Sequence, residues 1–320
     1  WPVYLFGLEG HWSLEPGGED PIAGGYEAGD LPKPETVAEF GKDATVVVID
    51  SGFEPTSVAL DQNGAVLLSE TKRVHGTFVE QLISMVAPDA TVEYEEAPVL
   101  SNDDAGTLDE DERLLTDDLA VAGALRKAAA GSPTVVNMSL GTYACEDGNG
   151  PVPPKATEDA LRDLTATGVK VVAAGGNDQI DQDETAVAEP AFFPAKFPAE
   201  GEVEPKVLGI GLVDPQGSYV MWNDGSRVAS PRNPGWQNTA PGDALVAGHL
   251  NGSPGLVWSG ASFATADYSA MVGACPNELD TPRDLTYADI PGLVYRVESA
   301  TAAGTFELKA STASGCPSEP

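Results

Sequence analysis

Four side chains in this sequence have the types and placement to carry out acyl transfer: Asp50, His75, Asn177 and Ser262. Ser262 sits in Leu256-Val257-Trp258-Ser259-Gly260-Ala261-Ser262-Phe263-Ala264-Thr265, where an apolar run stops at a glycine and a helix of small residues opens. The first turn of a helix holds backbone N–H groups without helical partners and lies at the positive end of the dipole, so an oxyanion formed there is stabilised. The same position also suits a serine that does nothing but cap the helix. A serine hydroxyl is a weak nucleophile near neutral pH and needs a base to take its proton. Of the three histidines, His75 is the one beside a helix-opening Gly76; His11 and His249 fall in loop-like contexts. A carboxylate, Asp50, and an amide, Asn177, complete a set able to orient the base and hold an oxyanion.

These residues need a scaffold that brings distant positions to one edge. Ala44-Thr45-Val46-Val47-Val48-Ile49 is a continuous β-branched run, suited to a strand buried on both faces, and it ends at Asp50-Ser51-Gly52. Val74 to Val86 carries apolar residues at 78, 79, 82, 83 and 86, a helical stripe with His75 at its start. A strand over residues 90–94, an acidic loop through Asp103, Asp104 and Asp109 to Glu112, and a helix over about 117–130 follow. Thr134 to Gly141 reads as a strand, 156–167 as a helix, and Val169 to Ala174 as a strand running into Gly175-Gly176-Asn177. Residues 206–212 form another strand, Ala240-Pro241-Gly242 marks a turn, and 293–299 with 305–309 reads as a closing hairpin. This rhythm predicts an α/β fold: a three-layer, doubly wound, mostly parallel sheet with helices on both faces and a C-terminal β-hairpin. Asp50, Asn177 and Ser262 then reach the carboxyl edge of the sheet, where such folds bind ligands.

Charge and composition narrow the partners. Fifty acidic against 17 basic residues give a formal net charge of -33, which repels phosphate backbones and anionic lipid and excludes nucleic acid as a partner. No apolar window is long enough to span a bilayer, so no membrane anchor is expected. Residues 1–43, rich in Gly, Pro and acidic side chains, read as an extension packed on a core of 44–275, with 276–320 completing the same unit. A first residue Trp1 suggests a processed chain. Cys145, Cys275 and Cys316 allow one bridge in three pairings, of which Cys275 with Cys316 would tie the tail to the end of the Ser262 helix. A monomer in an extracytoplasmic setting is favoured over a cytoplasmic one.

The motifs Val48-Ile49-Asp50-Ser51-Gly52, His75-Gly76-Thr77, Val136-Asn137-Met138-Ser139-Leu140-Gly141, Ala173-Ala174-Gly175-Gly176-Asn177 and Gly260-Ala261-Ser262-Phe263-Ala264-Thr265 occur in the order Asp, His, Ser. In this the chain resembles the subtilisin-like serine peptidases, the subtilase family, across roughly residues 44–273. The resemblance implies a subtilisin-like fold and an endopeptidase in which Ser262 attacks, His75 carries the proton, Asp50 orients His75, and Asn177 with the Ser262 N–H binds the oxyanion. It implies a polypeptide substrate held as a strand along Ser139, Leu140 and Gly141, with a second wall near Asn102 to Gly106. It places Phe192 either at the floor of the primary specificity pocket, making that pocket shallow, or in the core. A cis bond before Pro194 is expected on the same ground.

Several positions depart from the family pattern: Phe78 stands for a common second histidine, Glu80-Gln81 for a small pair, and Ala266-Asp267 for a proline and its neighbour. None removes a catalytic group. No loop has the oxygen-ligand spacing of a calcium site, so neither metal nor cofactor is expected. A peptide-binding module without turnover and a dedicated esterase or amidase are the competing readings. The acidic loop at Asp103 and Asp104 favours basic or neutral peptides.

Overall fold

The computed structural model describes residues 5–8, 22–23, 37–50, 68–97, 115–143, 145–146, 151–176, 179–180, 192–198, 205–214, 220–221, 227–228, 238–243, 245–247, 256–279, 283–298 and 306–317. In chain order the elements are β1 (Leu5–Leu8), β2 (Ile22–Ala23), β3 (Thr45–Asp50), α1 (Leu68–Val86), β4 (Thr91–Glu96), β5 (Leu115–Asp117), α2 (Asp118–Ala130), β6 (Val135–Met138) and β7 (Leu140–Tyr143). They continue with β8 (Cys145–Glu146), β9 (Pro151–Val152), α3 (Lys155–Thr165), β10 (Lys170–Ala174), β11 (Gln179–Ile180), β12 (Phe192–Phe193), β13 (Leu208–Val213), β14 (Val220–Met221) and β15 (Arg227–Val228). The last are β16 (Asn238–Pro241), β17 (Leu245–Ala247), β18 (Leu256–Trp258), α4 (Ala261–Ala274), β19 (Val294–Glu298) and β20 (Phe306–Ala310).

The central sheet is parallel in the order β16-β13-β10-β6-β3-β4. Side chains alternate across it with period two. On β3, Val46 and Val48 enter the core that contains Phe78, Leu82 and Tyr268 of α1 and α4. Val47 and Ile49 enter the opposite core, with Val121 and Leu125 of α2 and Leu161 of α3. The layering expected from sequence is therefore present, and it fixes where the next residues point. Asp50 continues the Val46, Val48 series and faces α1 and α4. On β6, Val136 and Met138 join the α2 and α3 core, so Asn137 and Ser139 fall on the α4 side.

α4 runs through the middle of this layer. All its residues from Ala261 to Gly273 are buried, as suits a helix with apolar residues on every face and only short polar side chains between them, apart from the Tyr268 hydroxyl. Gly273 lets it approach the sheet: a Cβ there would lie 3.2 Å from that of Ala44 and 3.4 Å from Cγ2 of Val46. An antiparallel sheet, β2-β18-β17-β19-β20, completes the side, and β19 with β20 is the closing hairpin expected from sequence. Cys275, at the end of α4, is disulfide-bonded to Cys316 across a sequence separation of 41. Closing a loop of that length restricts the unfolded chain by roughly 4 kcal/mol. Replacing both cysteines by alanine is expected to lower unfolding stability by about 2–4 kcal/mol, read from urea denaturation, with no change in the fold.

Two local expectations are corrected, and the extension gains strands that the sequence reading does not assign. α1 begins at Leu68, so His75 lies inside a helix rather than at its start. The added turn holds Glu70, Lys72 and Arg73, good helix formers without an apolar stripe. The Ala240-Pro241 turn is the end of β16, which is an edge strand of the described parallel sheet, a place where a proline is tolerated. The extension contributes real strands: β2 pairs with β18, and β1 pairs with β5 and β7.

Candidate active site

Parallel register brings the site together. Ile49 of β3 lies level with Met138 of β6, and Met138 with Ala173 of β10. Asp50, Ser139 and Ala174 are therefore neighbours along one carboxyl edge. Asp50 is fully buried, and both of its carboxylate oxygens accept from Nδ1 of His75, at 3.0 Å and 2.9 Å. A carboxylate can only accept, so this contact places the ring hydrogen on Nδ1 and leaves Nε2 with a lone pair in the neutral imidazole.

An aromatic cluster holds the His75 ring. It meets Trp258 edge-on, with ring centroids 5.6 Å apart, and Phe263 at the same separation. Phe78, one turn along α1, packs on Phe263 at 4.7 Å and on Trp258 at 5.5 Å. The departure at Phe78 thus has a structural use: an apolar ring closes the cluster where a second polar group would have drawn in water. Phe263 directly follows Ser262, so these contacts bring the imidazole beside the opening turn of α4.

That turn is pinned from behind. The N–H of Gly260 donates to the carbonyl of Gly242 at 2.8 Å, and a Cβ on Gly242 would stand 2.6 Å from the Gly260 oxygen, so this approach requires glycine. Ser262 is buried and its hydroxyl donates to the Ser139 carbonyl at 3.3 Å, long for an O–H donor and easily exchanged. In return the Ser139 hydroxyl lies 2.9 Å from the Ser262 carbonyl and 3.0 Å from Oδ1 of Asn137. Asn137 donates to Ser269 at 3.0 Å, and Ser269 back to the Thr265 carbonyl at 2.7 Å. This buried chain of partners locks the first two turns of α4 to β6.

Of the residues singled out from sequence, Asp50 is joined to His75 and Ser139 to Ser262, and the His75 ring packs on Phe263, the residue after Ser262. Asn177 and the wall near residues 102–106 lie outside the described residues. What is described is the approach to Asn177: β10 ends at Ala174, the Gly175 N–H donates to Ile210 at 3.0 Å, and Gly176 takes a left-handed φ of 95°. Leu140 and Gly141 lie in β7, whose neighbours are β12 on one side and β1 on the other. Phe192 is 3% exposed, and its ring covers the Gly141 backbone so closely that a Cβ on Gly141 would collide with it. Phe193 enters the α2 and α3 core instead, packing on Phe197. The bond between Phe193 and Pro194 is cis.

One group departs from the family pattern in an unexpected setting. Asp267, one turn beyond Phe263 on α4, is completely buried, and neither carboxylate oxygen has a hydrogen-bond partner. Burial pushes its carboxyl well above the ordinary range. Among the described residues, Cys275, Glu278 and Cys316 come close enough to suggest a metal cluster, but the two sulfurs are bonded to each other and are not free to ligate. No helix among the described residues is long and apolar enough to cross a membrane.

No curated protein matches the sequence. Among solved structures, the MycP3 protease of the type VII (ESX-3) secretion system superposes with a TM-score of 0.53 at 19% identity, covering 85% of this chain and 80% of that one. A lanthipeptide protease superposes with a TM-score of 0.50 at 19% identity, covering 74% of each chain. At such identities the likeness is one of fold. The sequence model of the subtilase family, peptidase family S8, matches residues 41–303, most of the chain and every motif named above. The chain belongs to the subtilase family and is a serine endopeptidase.

Proposed function

We propose that the chain cleaves polypeptides through an acyl-enzyme on Ser262. Ser262 Oγ attacks the scissile carbonyl carbon while its proton passes to Nε2 of His75. The C–N bond breaks as the same proton reaches the leaving amine. Water then attacks the ester and gives a proton to His75, which passes it to Ser262 Oγ as the acyl C–O bond breaks and the acid leaves. Asp50 keeps the hydrogen on Nδ1 and stabilises the imidazolium. The Asn177 amide and the Ser262 N–H receive the oxyanion. Every proton in this sequence is handled by a side chain or water, so the steps call for no metal or cofactor.

The observation that supports this reading most is the Asp50 carboxylate on Nδ1 of a ring packed against Phe263. That contact sets the tautomer a general base needs. We further propose that the enzyme works as a monomer outside the cytoplasm, a setting in which the Cys275–Cys316 disulfide persists. A fluorophosphonate is expected to label the chain at Ser262 and to leave Ser262→Ala unlabelled. Equal labelling of both proteins would sink the assignment.

A further inference from the structure

The turn that carries the nucleophile brings a carboxylate with it. Gly260 is bonded to the Gly242 carbonyl, and the residue after Gly242, Asp243, accepts at Oδ1 from the Ser259 hydroxyl at 2.8 Å. Gly242, Trp258 and Gly260 are buried, whereas Asp243 and Ser259 are half-buried, so this pair is where the turn reaches the surface. A hydroxyl donor aims a carboxylate and leaves its negative charge in place. The contacts of Ser262 say on which side of the nucleophile that charge stands. On one flank the Ser262 hydroxyl meets the Ser139 carbonyl, at the start of the β7 edge. On the other flank the His75 ring packs on Trp258 and Phe263, and Ser259 directly follows Trp258. His75 delivers its proton to the leaving amine, so the residues after the scissile bond depart on the His75 flank. Ser259 is three residues from Ser262, a span of at most about 11 Å, which the first one or two residues of an extended leaving strand cover.

We infer that Asp243, aimed by Ser259, is a specificity-determining residue for the leaving half of the substrate, and that it selects lysine or arginine at the first or second position after the scissile bond. This rests on the peptidase reading. A carboxylate that is half-buried interacts with a nearby charge more strongly than one surrounded by water, so a basic side chain is held and an acidic one repelled. The Ser259 hydroxyl matters because it keeps the carboxylate in one direction before substrate arrives, which lowers the ordering cost of the contact. The preference is local. A formal net charge of -33 attracts basic peptides at every position alike, and that general attraction fades as salt screens it. Asp243 acts at one place, beside the departing amine.

Matched quenched-fluorescence peptides that differ only at the two positions after the cut, with Lys, Ala or Glu there, test this. For the unaltered chain, kcat/KM is expected to be at least tenfold higher for the Lys peptide than for the Glu peptide. Asp243→Asn should bring that ratio below threefold, chiefly by raising KM for the Lys peptide, and Asp243→Lys should invert it. A lysine placed four residues before the cut controls for overall charge, and its effect should be the same in parent and variants. A Lys-to-Glu ratio unchanged in an Asp243→Asn chain that still labels with a fluorophosphonate would overturn the inference. Absence of labelling in the unaltered chain would instead overturn the peptidase reading and the inference with it. If both variants failed to fold, cleavage profiling of the unaltered chain on an unbiased peptide library decides the matter. Enrichment of Lys and Arg confined to the leaving side supports the assignment, and no enrichment there, or equal enrichment on both sides of the cut, overturns it.

Discussion

Asp50→Asn is expected to lower kcat by roughly 10⁴-fold, the size of effect seen when the orienting carboxylate of such a triad becomes an amide. The reason lies in the hydrogen on Nδ1. Both Asp50 oxygens accept from that nitrogen, at 2.9 Å and 3.0 Å, and a carboxylate has nothing to donate in return. An amide can turn its NH₂ toward the ring. Nδ1 then becomes the acceptor, the hydrogen moves to Nε2, and the lone pair that should take the Ser262 proton is gone. The ring itself stays in place, because Trp258 and Phe263 hold it independently of Asp50. The loss should therefore appear in kcat with KM and melting temperature little changed. A fall of less than tenfold would mean that Asp50 is structural.

The second large effect is on stability and comes from Asp267. Burial holds its folded-state carboxyl well above the value of an unfolded aspartate, about 3.9. Between the unfolded and folded values the native state binds more protons than the unfolded chain. Stability is then fully present at low pH and declines as pH rises, by up to about 1.4 kcal/mol for each pH unit in that window. Glu80 on α1, half buried, is displaced the same way by desolvation and adds to the slope. In Asp267→Asn the Glu80 contribution remains and the Asp267 contribution goes. Urea denaturation across pH 4 to 8 is expected to show variant and parent alike at the acid end, with the variant more stable at the basic end. Parallel curves would mean that Asp267 does not titrate as its burial demands. Most buried carboxylates in folded proteins are paired, and one kept unpaired in the middle of α4 costs stability as the pH rises.

Much of this was legible in the sequence, for physical reasons. Val46 to Ile49 and Val171 to Ala174 are short β-branched or small apolar runs ended by Asp50 and by Gly175-Gly176, and only parallel strands buried on both faces look like that. Ser262 was legible because Gly260 stops one element where another starts. What escaped depends on partners far along the chain. Nothing local in Leu5-Phe6-Gly7-Leu8 says that it lies between residues 115–117 and 140–143. Ala240-Pro241-Gly242 has the composition of a turn, and Asn238-Thr239-Ala240-Pro241, with neither alternation nor a β-branched run, is a strand because it pairs in parallel with Ile210 through Val213. The first turns of α1 carry no apolar stripe. The burial of Asp267 was invisible because α4 is buried on every side, so no periodicity separates an inner position from an outer one.

The hydrolase account is tested most directly by catching the intermediate. Acid quench of the enzyme during steady-state turnover of an activated ester, followed by peptide mapping, should find the acyl group on the peptide containing Ser262. It should accumulate further when His75 is replaced by a residue that cannot assist deacylation, provided the ester is reactive enough to acylate without it. An acyl group on any other residue, or continued turnover with no covalent species and with Ser262→Ala as active as the parent, would contradict it.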